Sequence, residues 1–530
     1  MFLLPVRNRN LLPFLLLALS LVGADTSTAA GGTDAAPPNI VLIMADDMGY
    51  SDMGCYGGEI ATPNMDRLAA EGVRFTQAYN MAKCEPTRNS LIAGQRNTPR
   101  IGFYVEKSEI WLPELLADLG YSTILAGKWH VSRHPLDRGF AKFFGHAEGG
   151  SNYFTGSDVI QLGREKYAVP EGFYSTDSFT DFAIRFVDEA RAEKKPFFLF
   201  LAYTAPHDPL QAPEEDIAKY RGKYAAGWEE IQRRRFGRLK ELGLLPQEAN
   251  QPDWPENLPR WDELTPGQKK MEELRMETYA AMVDRMDQNI GRLLAHLDQA
   301  GEADNTMVLL LSDNGANPFD RGVDKMVKAG ILPGGPDSNW STGPAWAHVS
   351  NTPFRMYKRN KHEGGICTPL ILRGPGLGYP AGCLSSLPVH ILDFMPTFLG
   401  WAGAKEIPPQ AEGDDLSKAF AAGEQTRADF RAVDYLVDHR YIRKGDWKLV
   451  SVDGEPWELF DLSKDRTETK DLAAEAPAKA AELEAAWEAD WQSFSQKPFA
   501  TEERTNAKLR MGDHGSGVRY TPVEAPTPEQ

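Results

Sequence analysis

Five short runs of nearly continuous apolar residues govern what this chain can become: NIVLIMADD from Asn39, YSTILAGKWH from Tyr121, PFFLFLAYTAPH from Pro196, NTMVLLLSDNG from Asn305 and TPLILRG from Thr368. Strands without polar–apolar alternation are buried on both faces, as in a parallel sheet covered by helices. Helical patterns separate the runs. ATPNMDRLAAEG places Thr62 as N-cap, Pro63 at the first helical position and Gly72 as the stop, and LPELLADLG repeats that grammar with Pro113 and Gly120. A longer amphipathic helix is predicted from Tyr279 to Gly301. The expected fold class is α/β, with a mostly parallel central sheet sandwiched by helices.

The N-terminus carries Arg7 and Arg9, an apolar run from Leu11 to Val22 and small residues around Ala24, which reads as a secretory signal over residues 1–24. Its apolar run is shorter than the ~20 residues a spanning helix needs, so no stable membrane insertion is expected. The predicted location is periplasmic or secreted. An Ala/Gly/Pro-rich linker covers 25–38, followed by a large domain over 39–415. Residues 211–275 read as a helical insertion whose charges form a solvated face. A smaller C-terminal α+β subdomain is predicted over 416–498, and a loose polar tail over 499–530.

A net charge of −17 excludes nucleic acid as the main partner, since that would require a basic face. An anionic substrate would need a local cationic site set against the global field. Four cysteines in 530 residues do not make a disulfide scaffold, although Cys367 and Cys383 could pair across a short loop.

Four of the runs end in chemistry-bearing residues. Asp46 and Asp47 close the first, Lys128 and His130 the second, His207 the third, and Asp313 and Asn314 the fourth. Parallel strands carry their carboxyl ends to one rim, where ligands bind in open α/β sheets, so these residues are predicted to converge. The Asp and Asn residues supply hard oxygen donors, which suit calcium or magnesium better than zinc; calcium is favoured because it tolerates irregular oxygen cages. Strand-end Asp and Asn also cap turns, which is the competing reading. Lys128 can hold an anionic oxygen, and His130 and His207 can exchange a proton. Cys84 precedes a predicted helix, so a thiol of lowered pKa and a plain core cysteine are both open.

Neither reading explains why Pro86 and Arg88 accompany Cys84. The pentapeptide CEPTR matches the Cys-x-Pro-x-Arg signature of type I, formylglycine-dependent sulfatases, arylsulfatase-like members of the alkaline phosphatase superfamily. The opening stretch from Asn39 to Tyr79 resembles the same family, as do GKWH, YTAPHDPLQAP, LLSDNG, YKRNKHEGGICTPLI and HILDFMPTFLGWAGA. The resemblance spans roughly Asn39 to Ala404 and makes 39–415 the catalytic domain.

It implies that Cys84 is oxidised to formylglycine (3-oxoalanine) by a formylglycine-generating enzyme, and that a hydroxyl of the hydrated aldehyde attacks sulfur. Asp46, Asp47, Asp313, Asn314 and the modified Cys84 would bind calcium. Arg88 would orient the hydrate, Lys128 and Lys358 would hold the sulfate, His207 would protonate the leaving alcohol, and His130 would take a proton to release sulfate. Lys358 is chosen over Lys361 because the family's lysine lies five residues before the acidic position of the EGG motif, here Glu363. Lys361 is then expected to be a solvated charge or a substrate contact.

The implied activity is hydrolysis of a sulfate monoester of an aryl or carbohydrate substrate. A formylglycine-dependent phosphonate monoester hydrolase or phosphodiesterase is the alternative on the same fold, and a non-catalytic binding domain is the alternative from another class. Specificity is expected in loops. Trp340 and Trp346 could stack on a sugar or aryl ring, or pack their own loop.

Overall fold

The five runs form strands, and the first four stand side by side. The structure, a computed structural model, describes residues 36–96, 98–100, 103–105, 110–436, 439–452, 454–495, 518 and 520–525. The predicted leader, nearly all of the linker and much of the tail lie outside the described residues.

In chain order the main strands are β1 (Asn39–Asp46), β2 (Val73–Tyr79), β3 (Ser122–Lys128), β4 (Lys142–His146), β5 (Phe197–Pro206), β6 (Thr306–Ser312) and β7 (Cys367–Arg373). They pair in the order β2-β7-β6-β1-β5-β3-β4 within an 11-stranded sheet completed by short edge strands. From β6 to β4 every pairing is parallel. β7 is an exception to the reading of the runs as parallel strands, because it pairs antiparallel with both β6 and β2. The reason is its approach: the segment from Lys358 to Gly365 comes from the catalytic rim, so β7 must run away from it.

β1 shows why its sequence lacks alternation. Ile40, Leu42 and Met44 enter one core, and Val41, Ile43 and Ala45 enter the other. On the second face lie α1 (Pro63–Glu71), α3 (Ser175–Ala192) and α5 (Pro266–Gln299), which bury Leu68, Phe179 and Leu293. The opposite face is covered by α2 (Cys84–Ala93) with Leu91 and Ile92, and by the helices Leu112–Asp118 and Phe394–Trp401. Replacing such a residue, for example Leu42→Ala, removes about 2–5 kcal/mol of stability.

Several local expectations change. Thr62 sits at the N-cap position of α1 but its hydroxyl does not cap the helix; it accepts from the Gly54 N–H at 2.8 Å. The free N–H groups of Asn64 and Met65 donate instead to Asp287 of α5, at 3.0 and 2.8 Å. α5 begins at Pro266, well before Tyr279, because Thr265 and Gln268 form a reciprocal capping box. In the insertion, α4 (Trp228–Glu241) is helical as expected, yet its charges are not all solvated: Arg235 is buried against Asp52 at 2.7 Å and Glu59 at 2.8 Å.

All four cysteines are free thiols. Cys367 stands opposite Tyr79 and Cys383 opposite Val73, on two different sides and at two ends of β2, so the strand itself keeps them apart.

The C-terminal part forms a separate antiparallel sheet, β8 (Arg431–Leu436), β9 (His439–Lys444), β10 (Trp447–Ser451) and β11 (Glu458–Asp461), backed by α6 (Pro477–Ser495). Val433, Ile442, Leu449, Leu459, Leu483, Trp487 and Trp491 make its core. The described end of the tail is not loose. Val518 packs on Ala316, Phe319, Ala347 and Tyr357, and the Ala525 N–H donates to Gly267 O at 3.1 Å. Among the described residues no helix is long and apolar enough to cross a membrane.

Candidate active site

The strand ends converge as the parallel arrangement requires. β1 delivers Asp46 and Asp47, and a register shift against β5 between Met44 and Asp46 turns the chain there. Asp47 adopts a left-handed φ of 64°, as does His130 at 49°, a conformation that non-glycine residues hold only where the surroundings enforce it.

Asp46 Oδ2 accepts from Lys128 Nζ at 2.5 Å. Asp47 accepts from Lys358 Nζ at 2.6 and 2.8 Å and from Asn314 Nδ2 at 2.5 Å. The Asp47 N–H donates to Asp313 Oδ1 at 3.3 Å, and Arg88 grips Asp313 Oδ2 through Nε at 3.0 Å while donating to Lys128 O at 2.9 Å. His207 Nε2 lies 3.4 Å from Asp47, and its Nδ1 lies 2.9 Å from Asp208.

Cys84 opens α2, buried, with the lysines acting on it. Burial pushes its thiol up, but Lys128 and Lys358 outweigh that and hold the pKa below the ordinary value. For His207 burial opposes the charge, yet Asp208 and Asp47 raise its pKa to about 9. His130 goes the other way: burial, reinforced by Lys128, depresses it to about 2, so it stays neutral. A glycine makes room for it, since a Cβ on Gly149 would come within 3.0 Å of the His130 ring.

The EGG motif acts by close backbone approach. The Gly315 N–H donates to Gly365 O at 3.2 Å, and a Cβ on Gly315 would lie 1.8 Å from Gly364 O. This locks the turn after β6, which carries Asp313 and Asn314, onto the segment that carries Lys358.

The donor set fits a hard divalent cation. Asp46, Asp47, Asp313 and Asn314 are oxygen donors, and Asp46 Oδ1 and Asn314 Oδ1 are buried without hydrogen-bond partners among the described residues. Burial, with the neighbouring Asp46 charge, pushes the Asp313 carboxyl well up, whereas Lys128, His207 and Arg88 overcome burial at Asp46 and hold its carboxyl well below the usual carboxylate range. Donor atoms of Asp46, Asp47 and His207 lie within 4.8 Å of one another. His207 is better read as a protonated hydrogen-bond donor to Asp47 than as a ligand, because Asp208 already holds it in the charged form.

The structure thus brings Cys84, Arg88, Lys128, His207 and Lys358 together with the four oxygen donors, and sets His130 beside Lys128. It corrects one expectation, on Lys361, and decides between two open readings of Trp340 and Trp346. Lys361 is neither solvated nor a substrate contact: it is fully buried and pairs with Asp434 of β8. Trp340 and Trp346 are packing residues, buried, with Nε1–H groups bonded to Ile331 O at 2.7 Å and Glu272 O at 2.9 Å. Sequence reading missed Asp208, whose carboxylate also accepts from Asn317 at 2.7 Å and Ser341 at 3.0 Å. Its position beside His207 was the available signal.

Residues 38–404 match the Sulfatase family model. An uncharacterised sulfatase of Schizosaccharomyces pombe is 34% identical over 526 residues, covering 85% of this chain and 92% of that protein. The arylsulfatase of Klebsiella aerogenes is also 34% identical, covering 72% and 91%, and an N-acetylglucosamine-6-O-sulfatase of Bacteroides thetaiotaomicron is 30% identical, covering 87% of each. Among solved structures, Ps i-CgsB in complex with k-i-k-neocarrahexaose superposes with a TM-score of 0.67 at 28% identity, covering 89% of this chain and 97% of that one. A structure in complex with D-glucosamine-2-N,6-O-disulfate has a TM-score of 0.61 at 25% identity, covering 87% and 99%. A rim that gathers cations around a buried cysteine, on a chain that matches these proteins over most of its length, identifies an enzyme of sulfate-ester hydrolysis: the chain belongs to the sulfatase family, within the alkaline phosphatase superfamily.

Proposed function

We propose that the protein is an exported sulfuric ester hydrolase that cleaves a sulfate monoester of an aryl or carbohydrate substrate, with residue 84 as formylglycine and a calcium ion held by Asp46, Asp47, Asp313, Asn314 and residue 84. The observation that carries the reading is the position of Cys84: buried at the start of α2, within the field of Lys128 and Lys358, which are themselves anchored on Asp46 and Asp47. The N-acetylglucosamine-6-O-sulfatase and the oligosaccharide-bound neighbour support the carbohydrate side of the substrate class. Export is inferred from the leader pattern read over residues 1–24, which supports a periplasmic or extracellular location.

When present, the formylglycine hydrate supplies the nucleophile and calcium the Lewis acid that polarises the sulfate oxygens. The chain's own groups do the rest. Lys128 and Lys358 hold the anionic oxygens, and their charge is fixed in place before substrate arrives, which is the condition for electrostatic stabilisation of a transition state. Arg88, clamped between Asp313 and the Lys128 carbonyl, keeps the start of α2 in register with the carboxylates. His207 enters protonated and gives its proton to the leaving oxygen. His130, neutral, takes a proton from residue 84 when sulfate departs.

The test is mass spectrometry of the Cys84–Arg88 peptide from protein made in a host that generates formylglycine, coupled to sulfate release from 4-nitrophenyl sulfate. Conversion of the thiol with sulfate release is the expected result. An unmodified thiol beside a converted control sulfatase, or faster turnover of an aryl phosphonate than of the sulfate, overturns the reading.

A further inference from the structure

One short stretch of chain joins the two histidines that exchange protons. After β4, residues 147–153 begin against His130, whose N–H donates to Ala147 O at 3.2 Å, and end against His207, whose carbonyl accepts from Tyr153 Oη at 2.8 Å. The Tyr153 N–H donates to Gln211 Oε1 at 2.8 Å and fixes that end a second time. Between the two pins lie Gly149 and Gly150. Neither has a positive φ, so the backbone itself does not demand glycine at either position. Packing explains Gly149, because a Cβ there would lie 3.0 Å from the His130 ring. Packing does not explain Gly150: the nearest atoms to a Cβ there would be Asp208 O at 3.9 Å and His207 Cε1 and Nδ1 at 4.0 Å, ordinary contact distances. The next residue, Ser151, is 5% exposed, and its hydroxyl has no hydrogen-bond partner among the described residues.

We infer that the alcohol half of the ester lies over residues 149–151, and that Gly150 is the residue that sets how bulky it can be. The inference rests on the sulfatase reading and on His207 as the group that protonates the leaving oxygen. That oxygen must come within hydrogen-bond reach of the His207 ring, so the carbon attached to it packs beside the ring. A glycine that neither the backbone nor the packing requires, set against that ring, keeps the space for it. The ring cannot swing aside to recover the room. Its Nδ1 lies 2.9 Å from Asp208, which accepts in turn from Asn317 at 2.7 Å and Ser341 at 3.0 Å. A side chain at position 150 would therefore displace substrate rather than protein. The buried Ser151 hydroxyl is a polar group on the same stretch that the chain leaves for an occupant to satisfy. The two glycines thus make room for different things: Gly149 for a group of the enzyme, Gly150 for one of the substrate.

Turnover of 4-nitrophenyl sulfate and its inhibition by inorganic sulfate separate the two halves of the substrate, since the inorganic ion has no alcohol half. In formylglycine-bearing Gly150→Leu, KM for the ester should rise by about tenfold or more, within the range that forcing methylenes into occupied space costs, while Ki for sulfate stays within about twofold of the parent. Gly150→Ala, which adds only ordinary contacts with the chain, should raise KM by about threefold, and it decides the matter even if the leucine variant does not fold. Gly149→Ala should instead lower kcat by about tenfold through a displaced His130, with KM and Ki near the parent values. An unchanged KM in the folded Gly150 variants, a Ki for sulfate that rises with KM, or the same rise in KM in Gly149→Ala overturns the inference, while turnover of 4-nitrophenyl sulfate by the parent leaves the sulfatase reading standing. No turnover by the formylglycine-bearing parent overturns both.

Discussion

Two buried clusters of charge lie on either side of the Lys358–Glu363 segment, and they are built to opposite specifications. In the catalytic cluster the Asp313 carboxyl is pushed up by burial and by its neighbour Asp46, and Asp46 Oδ1 and Asn314 Oδ1 lack hydrogen-bond partners among the described residues. In the second cluster, between the EGG motif and the C-terminal sheet, burial would also raise Glu363, but Lys448 and Arg466 overcome it and hold its pKa at about 2. There Lys448 Nζ reaches Glu363 at 2.8 Å and Glu468 at 2.7 Å, Arg466 reaches Glu363 at 3.0 Å, and Tyr79 donates to Glu363 at 2.9 Å. His362 pairs with Glu458 at 2.6 Å and Lys361 with Asp434. The joint is electrically closed and holds parts together. The catalytic cluster instead keeps buried oxygen donors of the kind the proposed cation requires.

Breaking the catalytic cluster should cost turnover rather than fold. Cys84→Ala should lower sulfate-ester hydrolysis by about 10,000-fold or more, with circular dichroism and melting temperature close to the parent. Breaking the joint should do the reverse. Lys448→Met leaves Glu363 and Glu468 buried with one cation fewer, which costs about 3–5 kcal/mol in denaturant unfolding.

The joint also has a pH signature. Glu363 and Glu458 are both depressed from 4.5 to about 2, so their contribution is complete above pH 4.5 and is lost as the pH falls toward 2. In Lys448→Met, acid unfolding should begin at higher pH, since Glu363 is no longer held down. A cation should stabilise only the open cluster: calcium at a hundred times its dissociation constant adds about 2.7 kcal/mol, and Asp46→Asn or Asp313→Asn should remove most of the gain. The smallest effect sets the scale outside both clusters. Trp340→Phe loses one buried hydrogen bond, about 1 kcal/mol by thermal unfolding, with KM for 4-nitrophenyl sulfate unchanged.

The open cluster was legible because parallel strands force their carboxyl ends to one rim, so Asp46, Lys128, His207 and Asp313 could be placed together from the run boundaries alone. The direction of β7 was not, since an apolar run such as TPLILRG reads the same in either direction. Lys361 misled for a related reason. A lysine in YKRNKHEGG reads as solvated until Asp434, 73 residues further on, is brought to it by the fold of another sheet. Asp208 was hidden in plain sight beside His207, because a neighbouring carboxylate in sequence says nothing of ring orientation. The cysteine pairing failed because a short loop length carries no information on the strand that runs between its ends.

The burial of Cys84 sets an order of events. The groups around it are far apart in the chain: Arg88 pairs with Asp313, 225 positions downstream, and Asp47 with Lys358, 311 positions downstream. In the finished molecule residue 84 is 3% exposed. On the proposed chemistry, an enzyme that converts this thiol must reach it while the chain is still extended, so the nucleophile is made before the site that will use it, and folding too quickly would yield a well-formed protein that is permanently inert.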